Sequence, residues 1–496
     1  MNNFRSSVQR GACLAVIMAL LGGCAVGPDF VRPTPPDADR YTREPLPAAT
    51  VAADGQAQHF MAGTAMTADW WRLFKSAQLD AAVQQAIANN PTLQAAEASL
   101  RQSQDKLRAG YGVFFPQVQA DAAASRKRVA PADQGLTTSP VIFNLVTLSG
   151  TVSYVLDVFG GERRTVEGLK AQTDYQRYET QAACLTLSAN VVNASIARAA
   201  YAVEIRATQQ LIALENEQLH LTEAQVRAGT VPFANVLSIR SLIAANQALL
   251  APLEQNVSQA EDLLATLEGV TPSKVTLPEI ELTELSLPGD LPLSLPSDLV
   301  RQRPDILAAE AQLHAASANI GVATAAMFPS ISLSGTYGIS GSGSSFSNLS
   351  ASSGRFWSFG PSATIPLFQG GALWYSRKAA IAAYQQSEAT YRQIVLSAFA
   401  QVADSLRALE HDAEALQAQV EAQRAAGEAL NLLQDGYRAG LVAYLDVLTA
   451  DVQFHQAAIA YLQAVAQRHQ DTVALFVALG GGWWSGQRPA GKGDAP

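Results

Sequence analysis

The sequence predicts a mainly α-helical chain that carries four β-strands and is built as a tandem repeat of one large unit. Three observations predict this fold class. Short motifs recur at a nearly constant separation, four segments alternate apolar and polar residues, and two long segments hold almost no helix-breaking residue. Because the separation is far longer than a solenoid repeat, each copy is half of a fold, and function is expected where the copies differ.

The tandem repeat rests on three pairs of motifs. Two pairs are 213 residues apart, since 304 − 91 and 329 − 116 both give 213, and the third is 211 apart, since 440 − 229 gives 211. The paired motifs are Asn90-Pro91-Thr92-Leu93 with Arg303-Pro304-Asp305-Ile306, Phe115-Pro116 with Phe328-Pro329, and Arg227-Ala228-Gly229 with Arg438-Ala439-Gly440.

The N-terminus has the features of a cleaved lipoprotein signal peptide over residues 1–23. Arg5 and Arg10 precede an apolar stretch that is too short for a permanent transmembrane helix. The stretch ends in Leu20-Leu21-Gly22-Gly23-Cys24, which resembles a bacterial lipobox, so Cys24 is predicted to become the acylated, palmitate-carrying first residue. Ala25 follows in place of the aspartate that tends to hold such lipoproteins at the inner membrane, which favours the outer membrane.

Composition and motif content exclude several classes of function. The net charge of −9 argues against a nucleic-acid partner, because phosphate binding needs a basic face. No disulfide is expected, since Cys13 leaves with the signal, Cys24 is acylated and Cys184 remains alone. The sequence has no HExxH zinc motif, no GxxxxGK[ST] phosphate loop and no GxSxG nucleophile turn. The chain is therefore predicted to be no enzyme and to use no metal or other cofactor.

Four segments alternate apolar and polar residues with the period of two that is typical of β-strands. The predicted strands span residues 113–126, 140–159, 328–341 and 356–368. No unbroken apolar run after the signal is long enough for a transmembrane helix, so a chain that crosses a bilayer would do so as strands. A strand with one apolar and one hydroxyl-rich face fits a transmembrane barrel, but a soluble sandwich would show the same alternation.

Long helices are predicted over residues 162–228 and 372–439, one in each repeat. Apolar residues follow a heptad along one side of each helix, and the first helix has a second apolar seam on the far side. Such a helix has neighbours on both sides, like a stave in a wall. Helices about half as long are predicted over 233–268 and 444–479, and shorter ones begin at Pro91 and Pro304.

The domain boundaries follow from these elements. Residues 24–75 are predicted to form a lipid-anchored segment that wraps the middle of the staves, with residues 25 to about 60 extended. The first repeat spans 76–269 and the second 297–484, with a Pro-rich linker over 270–296 and a disordered tail over 485–496. Four strands are too few to close a transmembrane barrel, so the chain must oligomerise. Two copies would leave little or no lumen, three would give twelve strands and twelve staves, and the sequence alone does not fix the number.

Five motifs occur in a fixed order along nearly the whole mature chain. They are Cys24-Ala25-Val26-Gly27-Pro28-Asp29-Phe30, Trp70-Trp71 with Phe74, Arg303-Pro304-Asp305-Ile306 with Ala309-Glu310, Phe328-Pro329, and Ala478-Leu479-Gly480-Gly481-Gly482-Trp483. With these motifs the chain resembles outer-membrane efflux factors of the NodT and OprM lipoprotein type, which are relatives of TolC.

The resemblance implies a TolC-like homotrimer, whose 12-stranded outer-membrane barrel continues into the periplasm as an α-helical barrel. It implies a passive exit duct of a tripartite pump in a Gram-negative bacterium. A periplasmic adaptor, or membrane fusion protein, would join the duct to an inner-membrane transporter of the RND type. The cargo would be small molecules such as drugs and toxic organics, with multidrug resistance as the result, and the inner-membrane partner would choose among them.

The resemblance also assigns roles to two helix turns. Their residues resemble the hairpin tips that contact the adaptor, and these residues are Arg227, Gly229, Thr230, Val231, Arg438, Gly440, Leu441 and Val442. The glycines equally fit ordinary helix capping. The candidates for a periplasmic gate are Leu445, Asp446 and Thr449. Thr449 stands where the family pattern has an aspartate, Asp446 and Asp451 lie nearby, and Asp446 equally fits a solvated tip residue.

Two other functions stay open on the residues alone. A porin-like barrel working alone would need no adaptor and no tapered periplasmic end. A structural lipoprotein with coiled-coil arms would keep its alternating segments out of the membrane.

Overall fold

The protein is described here by a computed structural model that covers residues 25–64, 66–130, 139–342 and 354–485. The signal peptide, Cys24 and the tail beyond Ser485 lie outside the described residues. The chain forms two compact units. Unit 1 combines the described residues up to 33 with Leu100–Gln176 and Ala309–Tyr391. Unit 2 combines Thr34–Ser99 and Arg177–Ala308 with the described residues from 392 onward.

The described residues form six strands and eight α-helices. The strands are β1 (His59–Ala62), β2 (Gln117–Val129), β3 (Val141–Leu156), β4 (Asp290–Leu293), β5 (Ser330–Ser342) and β6 (Arg355–Thr364). The helices are α1 (Ala77–Asn89), α2 (Pro91–Gly110), α3 (Gly161–Arg227), α4 (Phe233–Leu267), α5 (Pro296–Gln302), α6 (Pro304–Ala325), α7 (Ala372–Arg438) and α8 (Tyr444–Ala478).

The two repeats correspond element by element. β2 and β5 each have 13 residues and begin 213 residues apart, since 330 − 117 gives 213. α3 and α7 each have 67 residues and begin 211 apart, since 372 − 161 gives 211. α4 and α8 each have 35 residues and keep the same shift, since 444 − 233 gives 211. The second repeat is therefore two residues shorter than the first between the start of its first strand and the start of its long helix. The second strand of each repeat, β3 or β6, lies in this interval, and these two strands differ in length.

Unit 1 contains a four-stranded antiparallel sheet in the order β2, β3, β5, β6. Its register joins the strands in continuous rows: Ala122 pairs with Leu148, Leu148 with Ile339, and Ile339 with Arg355. Because the residues of one row point to one face, most apolar residues of the four strands lie on the same side and most hydroxyls on the other, whereas Phe143, Leu145 and Phe356 lie on the hydroxyl side.

Two predicted strand boundaries are wrong by four residues, and two others by three, since β2 continues to Val129 and β3 ends at Leu156. The sequence predicts a strand from residue 113, but Tyr111–Phe114 form a 3-10 turn and pairing begins at Gln117. The prediction of a strand to residue 368 passes the last paired residue, Thr364. The ladder stops there because Pro366, two residues later, has no N–H with which to extend it.

A helix that the sequence analysis did not name precedes α2, and another precedes α6. Asn90 and Arg303 separate each pair of helices, and both have extended backbone angles, with ψ of 121° and 125°. A residue before proline is pushed out of the helical region, so the chain breaks just before Pro91 and Pro304.

A two-stranded parallel sheet in unit 2 is an element that the sequence analysis did not predict. It joins the predicted N-terminal segment 24–75 to the predicted linker 270–296, because β1 and β4 pair from His59 with Asp290 to Ala62 with Leu293. Strands of four residues carry too little alternation to be visible in the sequence, and their pairing depends on packing against the helices of this unit.

The long helices bury predicted heptad residues in unit 2. Val192 and Ile196 of α3 and Leu406 and Leu409 of α7 are fully buried. At about 1.5 Å per residue each long helix extends roughly 100 Å. The predicted staves are thus helices with a continuous packed seam.

One described helix, α4, is long and apolar enough to cross a membrane by length and composition alone. It has no unbroken apolar run, since Arg240, Asn246 and Glu254 interrupt it. In unit 2 it packs against α3, and Leu237 and Leu249 remain 53% and 54% exposed in the single chain.

Candidate functional site

One face of the unit 1 sheet is lined with hydroxyl groups. Thr151 Oγ1 lies 3.2 Å from Thr336 Oγ1, and Ser332 Oγ lies 2.8 Å from Ser362 Oγ. Each contact joins residues that are paired across neighbouring strands. A hydroxyl-lined face of this kind suits the water-filled side of a barrel wall.

The opposite face exposes large apolar side chains. The exposed fraction is 76% for Trp357, 70% for Phe359, 74% for Val118 and 59% for Tyr337. A soluble sandwich would bury such a face against a second sheet, and within the described residues no second sheet covers it. An exposed apolar face opposite a hydroxyl-lined one fits contact with lipid.

The sheet is open at both edges. β2, with 13 residues, and β6, with 10 residues, each have one neighbour among the described strands. Their outer sides therefore present backbone N–H and C=O groups that can pair with a further strand.

Both long helices end in a left-handed glycine within unit 2. Gly229 has a φ of 71° and Gly440 a φ of 76°. In each turn the residue after the glycine donates its N–H to the carbonyl five residues earlier, over 3.0 Å in the first turn and 2.8 Å in the second. This closure is a Schellman motif, which needs a residue that tolerates positive φ. The capping role of the two glycines is therefore present in the structure.

The residues predicted to contact an adaptor lie on these two turns. Arg227, Gly229, Thr230, Arg438, Gly440 and Leu441 are exposed, and Val231 and Val442 are half-buried. The Gln225 amide donates to the Tyr437 hydroxyl over 2.8 Å, which joins the two turns side by side. We name this combined surface, formed by the eight predicted residues, the tip surface.

The three gate candidates lie on the first turns of α8. Leu445 is 50% exposed, and the Thr449 hydroxyl donates to the Leu445 carbonyl over 2.9 Å. The Asp446 carboxylate accepts the Ala443 N–H over 3.0 Å, where a negative charge also complements the N-terminal end of the helix dipole. Asp446 thus has a capping role, whatever else it does.

Two buried carboxyl groups that the sequence analysis did not assign as functional lie near the gate candidates. Glu215 of α3 is fully buried and accepts a hydrogen bond of 2.7 Å from the Asn246 amide. Asp451 of α8 is 4% exposed and lies 3.7 Å from the His455 ring. One oxygen of each carboxyl group has no hydrogen-bond partner among the described residues.

Burial is the main cause of the raised pKa values of Glu215 and Asp451. It raises the pKa of Glu215 to about 7, against the hydrogen bond from Asn246 and with support from the charge of Asp451. Burial also raises the pKa of Asp451, against the opposing effect of His455. A sequence signal for Glu215 does exist, since Thr208, Glu215 and Thr222 are seven residues apart and all buried, which places polar residues on a heptad seam.

The residues that follow Cys24 are held against unit 1. The Val26 N–H donates to the Phe159 carbonyl over 3.0 Å. Arg164 Nη2 donates to the Asp29 carboxylate over 2.6 Å. These contacts fix the segment beside the first turn of α3, directly after the sheet.

Further along, the same segment packs on α6. The Phe30 ring stacks on the His314 ring with centroids 4.3 Å apart, and Arg32 pairs with Glu310 over 2.7 Å. Cys24 itself is not among the described residues, and the first described residues after it lie where strand becomes helix in unit 1.

The sequence of the chain matches a family model described as outer membrane efflux protein over residues 82–270 and 295–481. The chain belongs to the outer membrane efflux protein family. It is 31% identical to the pyoverdine export outer membrane protein OpmQ of Pseudomonas aeruginosa, over 90% of this chain and 94% of OpmQ. It is 30% identical to the toluene efflux pump outer membrane protein TtgC of Pseudomonas putida, over 95% of both chains. Among solved structures, the outer-membrane channel OprN matches with a TM-score of 0.82 and 28% identity, over 93% of this chain and 100% of that chain.

Membership of the outer membrane efflux protein family confirms the predicted family, fold class, general function and location. The efflux protein is an outer-membrane component of an efflux system. It shares its tandem repeat of barrel strands and long helices with TolC-like channels. The structural lipoprotein and the soluble sandwich are thereby excluded. The family is one of channels, and among the described residues no group of three or more metal-binding side chains occurs.

A buried polar network of the efflux protein also escaped the sequence analysis. Arg468 of α8 is 1% exposed and donates to Gln58 Oε1 over 3.1 Å, to Thr50 Oγ1 over 3.2 Å and to the Gln56 carbonyl over 3.3 Å. Burial, with a hydrogen bond and the charge of Asp471, raises the pKa of the nearby Asp412 to about 8. No periodicity in the sequence identifies these residues. The burial of Arg468 is recognised only in the structure, where the segment around β1 lies against α8.

Proposed function

We propose that the efflux protein works as the passive exit duct of a tripartite efflux pump, and that three copies of the chain form the duct. Exported small molecules, such as drugs and toxic organics, pass from an inner-membrane transporter of the RND type through a periplasmic adaptor into the duct. OpmQ and TtgC carry export and efflux in their names, which supports small molecules as cargo.

The observation that carries the proposal is the open four-stranded sheet with one exposed apolar face. In a bilayer no water satisfies the N–H and C=O groups of an open edge, so a sheet that faces lipid has to close into a barrel. One chain supplies four strands, whose edges are β2 and β6. Closure therefore requires that β6 of one copy pairs with β2 of the next.

The number of copies follows from the lumen that a duct needs. Two copies give eight strands, and the interior of an eight-stranded barrel is filled by its own side chains. Three copies give twelve strands, which leaves a space for the hydroxyl-lined face to enclose. The exposed apolar leucines of α4 support the same association, because neighbouring copies would cover them.

The tip surface is the proposed contact with the adaptor. It combines the exposed guanidinium groups of Arg227 and Arg438 with Leu441, whose side chain is 80% exposed. An exposed leucine beside charged groups is a usual composition for a protein interface. Leu445 and Thr449, one turn apart on α8, are proposed to line the closed gate together with Asp446.

Cys24 is the proposed lipid anchor. The docking of Val26, Asp29 and Phe30 on unit 1 supports this proposal, because it holds these residues near the sheet that is proposed to lie in the membrane. Intact mass measurement of the mature protein tests it: acyl chains on a chain that begins at Cys24 are expected, and an unmodified N-terminus would contradict the anchor.

Disulfide trapping between edge strands tests the duct. In a Cys184→Ala background, Ala122→Cys on β2 is combined in turn with Trp357→Cys, Phe359→Cys and Pro361→Cys on β6, which share the apolar face. Oxidation of intact membranes is expected to give a covalent species of three chains for at least one pair. A ladder that stops at two chains, or no cross-link at all, would contradict the threefold barrel.

The matched control replaces the edge residue by one on a central strand. Val152→Cys on β3 pairs on both sides within its own chain. Combined with the same β6 cysteines, it is expected to give no link between copies.

A further inference from the structure

The apolar face of the sheet ends in arginines. Along β2 this face is apolar from Val118 to Ala124 and then carries Arg126 and Arg128. Lys127, between them, points to the hydroxyl side, because successive residues of a strand face opposite ways. Arg126-Lys127-Arg128 is the only run of three basic residues in a chain whose net charge is −9.

Two other strands lose their apolar character in the same direction. On β3 the face changes from Val146 to Asn144, with the apolar Ile142 beyond it, and on β6 it changes from Trp357 to Arg355. The apolar band therefore has a definite far boundary, which is marked by a polar or basic residue on three of the four strands.

This boundary is level in a tilted barrel wall. Arg126 pairs directly with Asn144, whereas Arg355 lies in the row of Ala122, which is four residues nearer the base of β2, since 126 − 122 gives 4. From β2 to β6 the boundary shifts by four residues along the strands, at about 3.3 Å per residue, and crosses three strand spacings of about 4.8 Å. It is therefore inclined by roughly 40° to the rows of paired residues. Strands of transmembrane barrels tilt by about 35–45°.

The bases of the strands show the same step. The row of Gln117, the first residue of β2, reaches Gly360 on β6. β6 continues to Thr364, four residues farther, since 364 − 360 gives 4. The lower ends of the paired strands and the upper boundary of the band are thus displaced by the same amount, so the arginines mark an upper edge of the sheet and not one irregular strand.

The height of the band fits a bilayer. From Gln117 to Arg126 the chain advances nine residues, since 126 − 117 gives 9. At about 3.3 Å per residue and a tilt of about 40°, this is a rise of roughly 23 Å, close to the apolar band of about 25 Å in such barrels. The base of β2 leads to the helices, which are periplasmic in this fold, so Arg126 and Arg128 lie at the outer leaflet.

The arginines are placed to contact a ligand outside the protein. Arg126, Arg128 and Arg355 are exposed, and none of them forms an ion pair with any described residue. Ile142, the partner of Arg128 on the same face, is 56% exposed. Guanidinium groups beside exposed apolar side chains match a molecule with a phosphate headgroup and acyl chains, because the guanidinium fork fits phosphate oxygens in two-pronged hydrogen bonds.

We propose that Arg126, Arg128 and Arg355 form a binding surface for the phosphate groups of outer-leaflet lipid, a phosphorylated glycolipid whose acyl chains lie on the apolar face of the sheet. This inference rests on the proposed barrel. It adds to the duct a specific lipid contact, which fixes the height of the barrel in the membrane and shields the edge of its apolar band.

Lipid retention by the purified full-length protein tests the proposal. The protein is extracted in mild detergent and titrated with bisphosphorylated lipid A or with dephosphorylated lipid A, and bound lipid is counted by native mass spectrometry. The wild type is expected to retain the phosphorylated form. The triple variant Arg126→Gln, Arg128→Gln and Arg355→Gln is expected to bind it at least about tenfold more weakly, since the charge-assisted hydrogen bonds of three guanidinium groups to phosphate oxygens are lost.

A matched control uses the neighbouring charge on the other face. Lys127→Gln removes one positive charge from the same run and is expected to leave lipid binding unchanged. Equal loss in this variant would mean that net charge alone attracts the lipid, which overturns the proposal. Equal retention by the triple variant, or equal binding of dephosphorylated lipid A, would overturn it as well.

Inorganic phosphate at millimolar concentration is expected not to displace the lipid, and displacement would reassign the surface to free anions.

The same spectra separate this proposal from the duct itself. A wild-type protein that has three copies but no preference for phosphorylated lipid contradicts the lipid surface alone. A wild-type protein that is not trimeric contradicts the proposed function.

Discussion

Arg303 Nη1 donates a hydrogen bond to the carbonyl oxygen of Ala478, the last residue of α8, over 2.9 Å. The first repeat has the same connection with a neutral donor, since the Asn90 amide donates to the carbonyl of Leu267, the last residue of α4, over 2.9 Å. Both donors directly precede the helix-starting proline of their repeat. The duplication has kept a hydrogen bond between equivalent positions and has changed the chemistry of its donor.

Replacement of Arg303 by leucine is expected to destabilise unit 2 by about 3–5 kcal/mol, because Arg303 is 7% exposed and its loss leaves several acceptors unsatisfied. Besides Ala478 it also donates to the Asp305 carboxylate, over 2.9 Å. Asn90→Leu is expected to cost about 1–2 kcal/mol, since Asn90 also accepts the Leu93 N–H at the start of α2. Thermal unfolding of the detergent-solubilised protein measures both. Arg301→Leu, an exposed neighbour, is the control, and an equal effect of all three would contradict the connection.

Stability near the gate candidates is expected to depend on pH through Glu215. Its folded pKa of about 7 lies above the ordinary value, so its contribution is fully present below about pH 4.5 and is lost as the pH rises through 7. Glu215→Gln keeps the acceptor for Asn246 and removes the buried charge. It is expected to stabilise the protein by about 1–3 kcal/mol at pH 8 and by much less at pH 5.

Melting curves at the two pH values measure this difference. Glu217→Gln, an exposed residue two positions along α3, is expected to change stability equally little at both. A gain for Glu215→Gln that is the same at pH 5 and pH 8 would mean that packing and not ionisation is responsible.

Arg468→Met is expected to weaken the attachment of residues 50–62 to α8. The change removes the donor for Thr50 and Gln58 and the cation beside Asp412, and broken buried charge networks cost about 3–5 kcal/mol. Limited proteolysis is expected to cut the segment around β1 at least about tenfold faster, which corresponds to about 1.4 kcal/mol of local opening. Arg424→Met, an exposed arginine of α7, is the control, and faster cleavage in both variants would contradict the specific network.

The tip surface predicts a point at which adaptor binding can be lost without loss of the duct. Leu441→Asp places a charge on an exposed apolar contact and is expected to reduce co-purification of the adaptor at least about tenfold. Leu441→Ile is expected to restore it. Normal adaptor binding by the aspartate variant, with the same amount of protein in the outer membrane, would move the contact away from the second turn.

The sequence predicted best the features that depend on residues close to one another in the chain. Periodicities of two and of seven located the sheet strands and the long helices within a few residues, and recurring Pro91 and Pro304 disclosed the duplication. β1 and β4 could not be predicted, because four-residue strands depend on long-range packing. Glu215 and Arg468 were missed for a related reason: a buried charge is conspicuous only when its surroundings are known, although polar residues on a heptad seam were a usable signal for Glu215.

The role proposed for Arg126, Arg128 and Arg355 could be recognised only when the sequence was combined with the register of the strands. Arg126-Lys127-Arg128 reads as a solvated charge run in isolation. The pairing of Arg126 with Asn144, and the four-residue step to Arg355, turn it into the edge of an apolar band.

Native mass spectrometry of the mature protein, extracted from the outer membrane in mild detergent, tests the threefold duct most directly. The predicted main species has three times the mass of the mature chain. A main species of one or two chains would leave the edges of β2 and β6 unpaired, or the barrel without a lumen, and would contradict the duct.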